Sequence, residues 1–123
     1  MILVDSSIWV EHLRSGDALL ASRLNGGVVF THPFVIGEIA LGSLRQRDQV
    51  LTAMRGLPFV TVANDDEVQT LIAHIPLHGL GIGYIDAHLL AATRLTPGVR
   101  LWTRDKRLRD VATRLGIAEL QDC

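Results

Sequence analysis

The chain has 123 residues, 48% of them hydrophobic and 20% charged, with a formal net charge of -1; this is a globular domain with a sizeable core, and the disordered and fibrous classes are excluded. No apolar run approaches the roughly 18 residues that span a bilayer, and the opening Met1-Ile2-Leu3-Val4-Asp5 lacks the basic start of a signal peptide. A cytoplasmic protein without membrane contact is expected, and the single cysteine, Cys123, suits a reducing compartment.

Ile2 to Val4 reads as a short strand, and further strands are predicted at Val28 to Thr31, Phe59 to Val62 and Val99 to Thr103, with a last one at Ile117 to Glu119. Helices fill the intervals. Ser6 or Ser7 caps the first, which runs through Arg14; Asp17 opens a second, carrying Leu19, Leu20 and Leu24 and stopped by Asn25-Gly26-Gly27. Pro33 stands as a first helical residue before Phe34 to Leu44, and Asp48 precedes a helix with Val50, Leu51 and Met54 that ends at Gly56. Asn64-Asp65-Asp66-Glu67 looks like a helix start, where acids complement the dipole, and the helix is predicted over Asp66 to Ile75, before Pro76. Gly79-Leu80-Gly81-Ile82-Gly83 is a flexible break, after which Tyr84 to Leu95 and Arg104 to Leu115 complete the helices. Strands alternating with helices predict an α/β fold: a mostly parallel central sheet of four or five short strands flanked by helices, in one domain over residues 1–123.

Four carboxylates fall in or beside core-forming runs. Asp5 ends Ile2-Leu3-Val4, Glu38 interrupts Phe34 to Leu41, Asp86 sits within Tyr84-Ile85-Asp86-Ala87, and Asp105 follows Leu101-Trp102-Thr103-Arg104. An ionised carboxylate is costly to bury without compensation, and several brought together make a site for a hard cation. In open α/β sheets, ligands bind beyond the carboxyl ends of the strands where strand order reverses. Asp5 and Asp105 come after strands; if the first and fourth strands are neighbours at that reversal, they flank one crevice, with Glu38 and Asp86 able to reach its rim from early helical positions. Helix-cap and dipole roles account equally well for Asp5, Asp86 and Asp105 taken singly. Glu38 resists that account, since its helix-face neighbours are Phe34, Leu41 and Gly42, with only Arg45 charged.

The positive charge is unevenly placed. Eleven of the twelve basic residues are arginine, and six of the twelve fall between Arg100 and Arg114. Such a cluster is either a solvated helix face or a phosphate-binding surface, for which the planar guanidinium is suited.

The segments Leu3-Val4-Asp5-Ser6-Ser7-Ile8-Trp9, Gly37-Glu38-Ile39, Gly83-Tyr84-Ile85-Asp86-Ala87-His88 and Thr103-Arg104-Asp105-Lys106-Arg107-Leu108 resemble, in order and spacing, the motifs of the PIN domain. The opening through Val10-Glu11-His12-Leu13-Arg14 resembles in particular the VapC-type toxins of bacterial toxin-antitoxin modules. The resemblance implies a metal-dependent endoribonuclease that leaves a 5′-phosphate and a 3′-hydroxyl and inhibits translation until neutralised. It implies Asp5, Glu38, Asp86 and Asp105 as the catalytic acids, with Asp5 and Asp86 as the principal ligands of Mg2+ or Mn2+ and Glu38 and Asp105 supporting. Ser7 and Thr103 match positions that orient the first aspartate. An RNA substrate, a homodimer, and a hetero-oligomer with a cognate VapB-like antitoxin follow from the same resemblance. Arg14, Arg104, Lys106 and Arg107 are then the candidate RNA contacts. Apolar residues of the two early helices (Leu19, Leu20 and Leu24; Ile36, Ile39 and Leu41) supply a surface for the antitoxin, unless the core consumes them.

Other residues favour plainer readings. His74 and His78 have zinc-pair spacing, but Pro76 lies between them and no third ligand is evident. Trp9 and Trp102 belong to the core, and His88 to a structural or peripheral position. The alternatives to a nuclease are a phosphoacceptor receiver-like domain, a phosphatase of the haloacid-dehalogenase type, or a catalytically silent PIN-fold interaction module. The first wants paired acids after the first strand and the second an Asp-x-Asp; the chain has Asp5-Ser6-Ser7, and its four acids are intact.

Overall fold

Ile2–Val4 forms β1, the centre of a parallel three-stranded sheet in the computed structural model, which describes residues 1–120. Cys123 lies outside the described residues. Seven helices and two further strands follow in the described chain: α1 (Ser6–Ser15), α2 (Ala18–Asn25), β2 (Val29–Phe30), α3 (Pro33–Ala40), α4 (Arg47–Arg55), α5 (Asp65–His74), α6 (Tyr84–Leu95), β3 (Arg100–Trp102) and α7 (Lys106–Arg114).

The strand order is β2-β1-β3, so β1 pairs with β2 on one side and with the late strand β3 on the other. The chain leaves β1 toward one edge, returns past it, and reverses between β1 and β3. That is the crevice position at which open α/β sheets bind ligands. The expected fourth and fifth strands do not form. Phe59 makes one bridge to Thr31, and Ala118 one bridge to Leu101, so each segment adds a single residue pair to an edge. The Thr31 N–H donates to the Pro58 carbonyl and the Thr31 carbonyl accepts from the Val60 N–H, Leu101 makes the equivalent pair with Ile117 and Glu119, and pairing stops there. The sheet is therefore three strands wide.

Side chains of a strand point alternately to opposite faces. Ile2, Leu3 and Val4 are all buried, as are Leu101 and Trp102, so both faces of the sheet are covered. Leu3, Ile8, Leu20, Leu89, Leu90 and Leu108 are among the fully buried side chains of the main core, and Trp9 and Trp102 are also within it. A smaller apolar cluster, Ala63, Val68, Ala87 and Ala91, joins α5 to α6.

Helix starts follow local chemistry closely. Asp5, rather than a serine, caps α1, accepting from the Ser6 N–H. Asp17 caps α2 and Asp105 caps α7, each accepting from the N–H three residues on. Asn64 and Glu67 form a reciprocal capping box at α5. His32 precedes Pro33 at α3, its Nδ1 accepting from the Phe34 N–H. The third helix ends at Ala40, four residues short of Leu44.

The early helices offer less apolar surface than expected. Leu20, Ile36 and Ile39 are buried and Leu19 and Leu24 pack against the core, while Leu41, 90% exposed, and in part Phe34 face solvent. Among the described residues no helix is long and apolar enough to cross a membrane.

Candidate active site

Asp5 leaves the end of β1 with its backbone N–H donating to the Trp102 carbonyl at 3.0 Å, which ties it to the end of β3. Its side chain is 5% exposed and held at both oxygens. Oδ1 accepts from the Ser6 N–H at 2.7 Å, and Oδ2 accepts from the Ser7 hydroxyl at 3.0 Å and the Thr103 hydroxyl at 2.6 Å. These donors offset the cost of burying the carboxylate.

The two hydroxyls do the same thing twice. Each donates its only proton to Asp5 Oδ2 and each accepts a backbone N–H from the connection between β3 and α7: Ser7 Oγ from Arg104 at 3.1 Å, Thr103 Oγ1 from Asp105 at 3.0 Å. The residue that fixes Asp5 thus also fixes the backbone of Asp105. Asp105 is exposed, and its Oδ1 accepts from the Leu108 N–H at 3.1 Å.

Glu38 projects from α3 and is exposed, so the apolar run that contains it does not bury it. Ser6 Oγ donates to its Oε1 at 3.1 Å and lies 3.4 Å from Asp5 Oδ1. With one proton to give, Ser6 serves the nearer acceptor, Glu38, and its hydroxyl spans the two acids. Asp86 occupies the first turn of α6, with Oδ2 accepting from the Gly83 N–H at 3.2 Å. Burial raises its pKa above the ordinary carboxylate range, with further upward pushes from Asp5, Asp105 and Glu38, against a lowering by Gly83. The fold therefore brings four carboxylates from four separate segments into one electrostatic field.

Among the described residues, no three acidic or histidine side chains converge into a ready-made cage for an ion. The donor set still fits magnesium or manganese. Magnesium dehydrates reluctantly, keeps several waters, and is held by one or two carboxylates plus substrate phosphate.

The candidate RNA-contacting residues are differently committed. Arg104 pairs with Asp17 at 2.6 Å, and that guanidinium contributes to holding the Asp17 carboxyl below its ordinary range after the Leu20 N–H. Arg107 lies against Gly81, where an added Cβ would come within 2.7 Å of its Nη1. Gly81 has φ +79°, and that left-handed backbone is what favours glycine there; the Arg107 side chain could shift to admit a Cβ. Lys106 is exposed at the start of α7, and Arg14 is exposed near the end of α1.

Sequence reasoning missed the Ser6 bridge to Glu38, although Ser6 stands next to Asp5, and it missed the Gly81–Arg107 contact, whose only signal was the glycine spacing. His88 is buried and sits in an aromatic cluster, its ring 4.8 Å from that of Phe34 and 4.7 Å from that of Tyr84.

A PIN-domain family model matches residues 2–114. With that match and the carboxylate-lined edge of a parallel sheet, the chain belongs to the PIN-domain family. Within it the chain is of the VapC type: it is 48% identical over 118 residues to Ribonuclease VapC32 in two strains of Mycobacterium tuberculosis, an alignment spanning 96% of this chain and 95% of that relative.

Proposed function

We propose that this chain is a cytoplasmic metal-dependent endoribonuclease, the toxin of a VapBC-like toxin-antitoxin pair, which cleaves RNA and thereby inhibits translation until its antitoxin neutralises it. The observation that carries the reading is the grouping of Asp5, Glu38, Asp86 and Asp105 beyond the carboxyl ends of β1 and β3, in a chain so similar to a ribonuclease. Carboxylates that repel one another in the free protein are relieved by a divalent cation.

In this reading Asp5 and Asp86 hold Mg2+ or Mn2+, with Glu38 and Asp105 supporting. When bound, the ion supplies Lewis-acid polarisation of the phosphodiester. The chain's own residues set the frame. Ser7 and Thr103 fix the rotamer of Asp5, Gly83 fixes Asp86, and Ser6 holds Glu38 beside Asp5. Glu38 and Asp105, exposed on the rim, are placed to accept a proton from the attacking water, giving a 5′-phosphate and a 3′-hydroxyl.

The antitoxin reading rests on charge: a VapB-like segment carrying an arginine neutralises the same acids. A homodimer and a toxin-antitoxin hetero-oligomer complete the proposal.

Expression of the chain alone in a bacterium is expected to arrest growth, and the purified protein to cleave RNA with magnesium or manganese. Asp5→Ala and Asp86→Ala are each expected to abolish both effects. Cleavage that persists in chelator, or in either variant, would refute the assignment.

A further inference from the structure

Beside Glu38 a cavity of about 500 Å³ opens between α1 and the loop that joins α3 to α4. Arg14 enters it from α1, Glu38 from α3, and Ser43 and Arg45 from the loop, while Leu13, Ile39 and Leu44 give it an apolar lining. Glu38 belongs to both the acidic crevice and this cavity, so the two adjoin at that residue.

Three arginines of the C-terminal region are already engaged within the fold. Arg104 is paired with Asp17, Arg107 packs on Gly81, and Arg100 donates to the Ala118 carbonyl at 3.4 Å. Arg14 and Arg45 have no ion-pair partner among the described residues. The dipole of α1 gives Arg14 a plain reason to lie in its last turn. Arg45 has no such reason.

The backbone beside Arg45 is strained. Gln46 has φ 52° and ψ 46°, the one non-glycine residue with positive φ among the described residues, and its side chain makes no cap bond to α4. Left-handed backbone at such a residue costs about 1 kcal/mol or more and clusters at functional sites. Here it sits at the chain reversal that presents Ser43 and Arg45 to the cavity.

We propose that this cavity is the subsite for the nucleotide next to the cleaved bond, with Arg14 and Arg45 binding its phosphate and Leu13, Ile39 and Leu44 packing against its sugar and base. This rests on the ribonuclease reading and extends it from the acids to their substrate. Two guanidiniums beside an apolar floor fit a polyanion with flat, partly apolar bases, because each guanidinium can give a phosphate two hydrogen bonds. They oppose a basic antitoxin segment, which makes RNA the favoured occupant. The contacts are to backbone and so confer affinity more than sequence preference.

The test uses the full chain and a short, labelled, single-stranded RNA of mixed sequence, with binding and cleavage measured separately. Arg45→Ala and Arg14→Ala are each expected to weaken RNA binding about tenfold and to lower the salt slope of binding by about 0.7, the value for one lost phosphate contact on a single strand. Arg45→Lys recovers part of the loss, and Arg55→Ala, at the far end of α4, serves as the charge-removal control and leaves binding unchanged. KM rises in both cavity variants. If wild type cleaves and the cavity variants match it in binding, salt slope and KM, the subsite is overturned while the ribonuclease reading stands. If wild type binds RNA through Arg45 but never cleaves, the subsite stands and the catalytic reading falls. If the variants lose only co-purification with the antitoxin, the cavity is a protein-docking surface and the proposal is overturned.

Discussion

Replacing Thr103 with valine removes one hydroxyl from a side chain of nearly the same shape, and the structure gives that hydroxyl two partners. It donates to Asp5 Oδ2 at 2.6 Å and accepts from the Asp105 N–H at 3.0 Å, in a residue only 3% exposed. A hydrogen bond to a charged group contributes about 1.5–3 kcal/mol, and the freed Asp105 N–H lies near enough to solvent to recover most of its own loss. Thr103→Val is therefore expected to cost about 2–3 kcal/mol by urea or thermal unfolding. Metal affinity is expected to fall about 10–100-fold, the usual loss when a partner that orients a ligand is removed. Cleavage then falls at limiting metal and recovers in part when metal is raised. Calorimetric titration with Mn2+ and rates against metal concentration measure both. Thr103→Ser keeps the hydroxyl and separates its contribution from that of the methyl group. If Thr103→Val loses less than about 0.5 kcal/mol, or if serine fails as badly as valine, the hydroxyl is not what fixes Asp5.

Two further outcomes follow from titrating groups. Asp86 has a raised pKa, so at neutral pH its charge is less favourable in the fold than in the unfolded chain, and Asp86→Asn is expected to raise the melting temperature of the metal-free protein while ending cleavage. Saturating Mn2+ stabilises wild type and not the variant; a metal-free variant less stable than wild type would contradict the charge argument. His32 is fully buried, and burial, with a smaller push from His88, lowers its pKa from 6.5 to about 4. The group contributes stability that is complete above pH 6.5 and is lost as pH falls toward 4, amounting to about 3 kcal/mol. His32→Asn, which retains a capping acceptor for α3, is expected to flatten the unfolding free energy across that window, and an unchanged pH profile would refute the assignment.

The sequence made the helix starts legible because the residues that end helices and cap them act locally. Asp17, Pro33, Asn64, Tyr84 and Gly56 fell where their backbone chemistry put them. The adjacency of the first and late strands stood in the sequence only as a condition for the acids to share a crevice, and the strand order β2-β1-β3 meets it. The two missing strands were not: Phe59 and Ala118 lie in apolar runs that read as strands, yet each pairs at one residue, and the extent of pairing is decided by a neighbour far along the chain. The same distance hid where the arginines go. Nothing within a few residues of Arg104 announces Asp17, 87 positions away, or Gly81 beneath Arg107.

That long-range commitment changes what the charge cluster means. Read as a string, the arginines between 100 and 114 lie next to Asp105 and invite a phosphate; in the fold, Arg104 locks α7's entry to the cap of α2, and Arg107 braces the glycine loop that leads into α6 and Asp86. The Arg107 contact joins the helix that follows Asp105 to the loop before Asp86, and the Arg104 pair ties the Asp105 connection to the start of α2, so both guanidiniums are engaged within the fold. The donors on Asp5 fix one wall, the Gly83–Asp86 bond fixes another, and the arginines tie those walls to the helices behind them. The cations left to attract RNA are Lys106, exposed beside Asp105, and, in the proposed subsite at Glu38, Arg14 and Arg45, none of which has an ion-pair partner among the described residues.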